Sequence, residues 1–222
     1  MTYSNFNNPL IQTQFNTELN LADIKQWGYE LPIQEVSGRA KITANYIGKI
    51  GLKNDFKKDF EQAEKSADLQ LTNTSFLFKP MALFHGIDAS MRLVNNRLEI
   101  DSVKGHIGEE SKLKFIGAVE HLFNQNKELR IAGHLSSDWL KISQMVIVDT
   151  TQEATPFIMP KNILANITTN VKDASYEKFH MSHLKAKFIF NKGVLKAKKV
   201  ELKSMSGNIT GDFTLSQTEE GN

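Results

Sequence analysis

Apolar and polar residues alternate with period 2 along most of this chain, and the alternation breaks at turn-forming residues. Met91-Arg-Leu-Val-Asn-Asn-Arg-Leu-Glu-Ile-Asp101 alternates, meets an Asn-Asn pair, and alternates again. Period 2 puts successive side chains on opposite faces of a strand, and Asn tolerates the positive φ of a tight turn, so this stretch predicts a β-hairpin. A third strand follows over 111–119. The plan returns near the C-terminus. Leu184, Ala186, Phe188 and Phe190 share one parity, Asn191-Lys192-Gly193 turns, 194–202 runs back and 208–215 closes. Leu98 maps onto Leu195 and Gly117 onto Gly211, which predicts an internal structural repeat.

Elsewhere the pattern predicts a first strand over 10–21 and a very regular one over 38–47. In the latter, Ala40, Ile42, Ala44 and Tyr46 alternate with Arg39, Lys41, Thr43 and Asn45. Strand character returns over 67–78. Residues 113–119 and 128–135 form a further hairpin. Residues 54–67 differ: Phe56, Phe60, Ala63 and Ala67 recur at helical spacing, predicting a helix whose Phe pair caps the sheet as core. Short helical turns are expected near Leu21 and within 137–145. Thr150–Pro160, with Pro156 and Pro160, reads as a connector. The expected organisation is a β section over 1–150, a linker-like connector over 151–160, a last module of the same domain over 161–216, and a polar tail over 217–222. The fold class is mostly β: a long, strongly curved antiparallel sheet of repeated hairpin modules with one or a few short helices.

A smaller signature, apolar-x-Gly-x-apolar, recurs at Gly38, Gly117, Gly133 and Gly211. Glycine weakens a strand, so its recurrence marks bends, bulges or close approach to the backbone. Ala40, Ile42, Ala44, Tyr46, Met91, Leu93, Leu98, Ile100, Leu113, Phe115, Phe188, Phe190, Ile209 and Phe213 then become candidates for one apolar face. Arg39, Lys41, Arg92, Lys114 and Lys187 take the opposite parity.

The hairpin, the strand ending in apolar-x-Gly, and the step Leu135-Ser-Ser-Asp-Trp-Leu140-Lys-Ile142-Ser resemble the AsmA-like family of bacterial envelope proteins. The likeness is strongest over 184–215 and extends loosely from about residue 10. What the resemblance implies is a curved sheet with an apolar inner surface, related to bridge-like lipid-transfer proteins. It further implies phospholipid or another acyl lipid as partner, a role in lipid transport and outer-membrane biogenesis, and a periplasmic location. It carries no catalytic residues. Residues 1–9 lack the basic and apolar regions of a signal peptide, so the expectation is a piece of a longer protein whose N-terminal inner-membrane anchor lies elsewhere.

Composition adds exclusions. Lys+Arg 27 against Asp+Glu 25 gives no global field pointing to nucleic acid. Without cysteine there is no thiol catalysis, disulfide or cysteine-ligated zinc. His180 and His183 lie three apart, on opposite faces of a strand, which disfavours metal ligation. Glu109-Glu110 sits in an expected turn, where adjacent carboxylates are solvated. No fingerprint of a hydrolase, metalloprotease or nucleotide-binding enzyme occurs. The expectation is a protein that is not an enzyme and uses no cofactor. The eight lysines between Lys178 and Lys203 suit either a solvated outer face or anionic headgroups.

Overall fold

The computed structural model describes residues 2–4, 9–23, 35–49, 56–77, 83–124, 126–144 and 162–216. They form one open sheet in which sequence order is spatial order. Its strands are β1 (Thr2–Ser4), β2 (Leu10–Asn20), β3 (Glu35–Lys49), β4 (Glu64–Leu77), β5 (Leu83–Val94), β6 (Arg97–Ile107), β7 (Ser111–Glu120), β8 (Leu129–Lys141), β9 (Ile163–Tyr176), β10 (Phe179–Asn191), β11 (Val194–Ser204) and β12 (Gly207–Ser216). A helix, α1, spans Phe56–Gln62. Every neighbouring pair is antiparallel except β8–β9, which run parallel from Leu129↔Ile163 to Lys141↔Ser175. Parallel neighbours need a connection that runs back along the strands. That connection lies between Lys141 and Ile163, and most of it, including the expected connector over 151–160, lies outside the described residues.

All three expected hairpins form, the third as β7 paired with β8. Asn95, at φ +54°, turns β5 into β6, and Lys192-Gly193, at φ +48° and +75°, turns β10 into β11. One helical expectation needs correction. Residues 64–67 belong to β4, not to a helix reaching Ala67: Ala67 pairs with Ala44 on one side and Leu93 on the other. A helix this short is marginal by itself, and pairing on both edges outweighs the coincidental spacing of Ala63 and Ala67. The short helical turn expected within 137–145 is the 3-10 turn at Ile142–Gln144, and residues 137–141 stay in β8 because β9 pairs along them. Near Leu21 a 3-10 turn covers 21–23.

Bulges set the curvature. Register slips between Leu71 and Thr74 in β4, between Ile100 and Val103 in β6, and between Ala197 and Val200 in β11. Each inserts a residue that bends the strand and increases its twist. At two of them an aspartate on the next strand accepts the freed amide. Asn73 N–H donates to Asp88 Oδ1 (3.0 Å) and Lys199 N–H to Asp212 Oδ1 (2.8 Å). Gly38, at φ +105°, makes a further bulge, with Thr74 packed against its backbone.

The bulges at 100/103 and 197/200 stand 97 residues apart (197 − 100 = 97), the same interval as the two turns. This register corrects one detail of the repeat. Gly117 lies opposite Ile100 and Phe213 opposite Ala197, while Phe115 lies opposite Val103 and Gly211 opposite Val200. The Phe and Gly positions are therefore exchanged between repeats, and Gly211 is the counterpart of Phe115 rather than of Gly117.

Candidate functional site: a continuous apolar face

Pairing register carries one apolar row through eleven strands. Phe15 faces Ala44, and the row continues through Ala67, Leu93, Leu98, Val119, Ile131, Ala165, Phe190 and Leu195 to Leu215. A second row runs Thr17, Ile42, Leu69, Met91, Ile100, Gly117, Gly133, Ile167, Phe188, Ala197, Phe213. Ala40, Tyr46, Leu113 and Phe115 take the same parity in their strands, as does Ile209 opposite Leu202. All fourteen apolar candidates thus lie on one face. Phe15, Leu69, Val119, Ile131, Ala165 and Leu195 also belong there, and their parity in the sequence could have found them.

The opposite face carries Glu18 across from Lys41, Asp68 across from Arg92, and Arg97 beside Glu120. Arg92 Nε stands 3.3 Å from Asp68 Oδ1, and Arg97 pairs with both Glu99 and Glu120.

The sheet folds over its apolar face. A flat sheet would hold β3 and β7 about 19 Å apart. The Phe60 ring nonetheless stacks on Tyr46 of β3 (centroids 5.9 Å) and meets Phe123, just beyond β7, edge-on at 5.0 Å. Lys65 braces this junction. Its buried Nζ donates to the carbonyls of Phe60 (2.6 Å), Glu61 (3.1 Å) and Ala63 (3.1 Å), which end α1, and lies over the Phe60 and Phe123 rings. Burial pushes its pKa down from 10.5, and the Glu61 carboxylate opposes that shift. The opposite rim is closed by Leu140, Val171 and Ala174, with Leu113, Ile142, Met181 and Leu184 packed against them.

Between the rims little is fully covered. Among the described residues, six of the twelve buried apolar side chains are alanines: Ala40, Ala44, Ala63, Ala89, Ala174 and Ala186. Ile42, Leu93, Ile100, Phe115, Phe188 and Phe190 are half-buried. Phe15 is 47% exposed, Ile209 40%, Phe213 57% and Leu215 57%. A two-layered core buries its largest side chains first, so among the described residues this face lacks a second layer along much of its length.

The signature glycines divide. Gly117 and Gly133 face each other across β7–β8, with the Phe115 ring over both. A side chain at Gly133 would meet the carbonyl of Ile116 at 2.5 Å, and one at Gly117 the Cα of Gly133 at 2.9 Å. Gly211, expected to shape the face in the same way, does not require glycine: the nearest ring, Phe213, is 3.8 Å from where a Cβ would stand. Gly48 was not anticipated. It seats α1, since a Cβ there would stand 2.5 Å from that of Ala63.

The polar candidates stay apart. His180 pairs with Ser175, and His183 Nδ1 lies 3.2 Å from Ser182 Oγ. Among the described residues no cluster of His, Asp or Glu could hold a metal ion, and no helix is long and apolar enough to cross a membrane. Glu110 is in a turn and bonds Lys141 Nζ (2.8 Å); that hydrogen bond lowers its pKa from 4.5. Comparison with protein-family models, curated proteins and solved structures finds no match to this chain.

Proposed function

We propose that the apolar face is a lipid-shielding groove, and that the chain is a non-enzymatic section of an AsmA-like envelope protein. The observation that carries this reading is the unbroken apolar row from Phe15 to Leu215, much of which is only partly covered among the described residues. Ten strand spacings make that row about 48 Å long. One leaflet of a bilayer is about 15 Å of hydrocarbon, so the row exceeds a single acyl chain. It suits a path along which lipids move better than a pocket for one molecule. Shielding is passive, at about 0.8 kcal/mol for each methylene removed from water. In this reading the ligand is a phospholipid or other acyl lipid, the compartment the periplasm, and the full-length protein is held at the inner membrane and serves outer-membrane biogenesis.

A structural β-repeat with a self-filled face is the second reading. It is favoured by the Phe115 ring folded over Gly117 and Gly133, which occupies space on that face with the chain's own atoms.

Ile100→Asp separates the two, because an unpaired carboxylate is strongly disfavoured in an apolar setting. In an open groove the variant folds and loses the lipid that native mass spectrometry detects on the wild type. In a filled core it unfolds cooperatively. A photo-crosslinking residue at position 100 that captures no lipid in cells, in a folded protein, rules out the conduit at this section.

A further inference from the structure

On the convex, polar face, β5–β9 enclose a concavity of about 600 Å³. Its lining includes Lys104, Lys112, Lys114 and Lys172, with Asp88, Asp138, Ser136, Asn170 and His106 among them. Four lysines less two aspartates leave a formal charge of +2 (4 − 2), and Asp88 is already engaged by the Asn73 amide.

At several other positions this face pairs opposite charges across strands, as in Glu18↔Lys41, Asp68↔Arg92 and Arg97↔Glu120. Here Lys104 stands between Asp88 of β5 and Lys114 of β7, and among the described residues it forms no salt bridge with Asp88, whose carboxylate accepts the Asn73 amide instead. Like charges in that position are destabilising, and none of the four lysines makes an ion pair among the described residues. His106 adds a separate anomaly, because its shielded Nδ1 has no hydrogen-bond partner among the described residues. Local rules are broken where a function compensates for them.

We infer that this concavity binds a phosphate-bearing group, with Lys104 and Lys114 as the paired cationic contacts and Lys112 and Lys172 flanking them. A phosphate between Lys104 and Lys114 replaces their repulsion with two charge-assisted contacts, and Ser136 and Asn170, on the same cross-strand row, offer neutral donors. The site lies on the opposite face from the apolar row, so it does not depend on what that row carries. Lys187↔Lys198 is a second like-charge pair on the convex face but does not line the concavity, which makes it a matched control.

The test titrates the full chain with sodium pyrophosphate by calorimetry. The wild type is expected to saturate, more weakly as salt rises. The Lys104→Gln/Lys114→Gln variant should bind about tenfold more weakly or worse, Lys187→Gln/Lys198→Gln within about twofold of the wild type. Without ligand, the first variant should melt no lower than the wild type, because it removes a repulsion. Lys104→Arg/Lys114→Arg, which keeps both charges, should still bind. Cosedimentation with phosphatidylcholine vesicles containing phosphatidic acid then separates the sources. Capture lost in Lys104→Gln/Lys114→Gln identifies a lipid headgroup, and pyrophosphate binding without capture identifies a soluble phosphate compound. Absence of saturable binding below ~10 mM pyrophosphate overturns the proposal. So does equal weakening in the two Gln variants, or vesicle capture without pyrophosphate binding, since each indicates diffuse attraction alone.

Discussion

The two repeats, β5–β7 and β10–β12, share hairpin turns and a bulge at the same interval, yet they differ in how much apolar surface they cover. In the middle repeat Phe115 lies against Gly117 and Gly133, and β8 continues the sheet. In the last repeat β12 has no further neighbour among the described residues, and Phe213 and Leu215 are each 57% exposed. One pattern of residues therefore gives a covered face or an open one, depending on which strand comes next. Burial on this sheet comes from lateral neighbours and curvature, because much of the face has no second layer among the described residues.

The largest expected difference tests that contrast at its glycines. Gly133→Val should destabilise by about 3 kcal/mol, because its side chain meets a backbone carbonyl and an aromatic ring that cannot both move. Gly211→Val should stay within about 0.5 kcal/mol of the wild type, as β-branched residues favour strands and space is available. Chemical denaturation of both variants decides it, and equal losses would erase the distinction between the repeats.

Lys65 probes the brace that joins α1 to the middle of the sheet. Lys65→Met keeps the apolar stem and removes three hydrogen bonds to carbonyls, at a cost of about 2 kcal/mol. The pH dependence has a definite sign. Burial lowers this pKa in the folded state, so between that lowered value and 10.5 the unfolded chain holds the extra proton. Wild-type stability should therefore gain with rising pH through that window relative to Lys65→Met. A pH-independent difference between the two would remove the buried-cation account.

A smaller effect is expected at the open edge. Asp212→Ala leaves the Lys199 amide at the β11 bulge without its acceptor, costing about 1 kcal/mol. Hydrogen exchange should quicken at Lys199 and along β12 while β5–β7 stays protected. Faster exchange in both repeats would show that they open as one unit.

Much of this was legible along the chain, and the misses have physical causes. Parity alone identified part of the two long rows, such as Leu93, Leu98, Ile100 and Phe188, while Val119, Ile131 and Ala165 were not among the candidates. It could not identify the bulges, where Asp101-Ser102 and Lys198-Lys199 interrupt the alternation and restore it one residue out of step. The helix reading over 54–67 ran too far because Ala63, just past α1, and Ala67, inside β4, keep helical spacing by coincidence. The lysine concavity escaped notice because Lys104, Lys114 and Lys172 come from three strands and meet only through register.

The sequence by itself determined which side chains share a face and where the chain reverses, since period 2 follows from strand geometry and turns from the local conformations of Asn and Gly. Only the tertiary structure decided the parallel step at β8–β9, the curvature drawn in by bulges and the Phe60 contacts, and which glycines are crowded. Each of those depends on the strand or ring that lies alongside, and no residue carries that information alone.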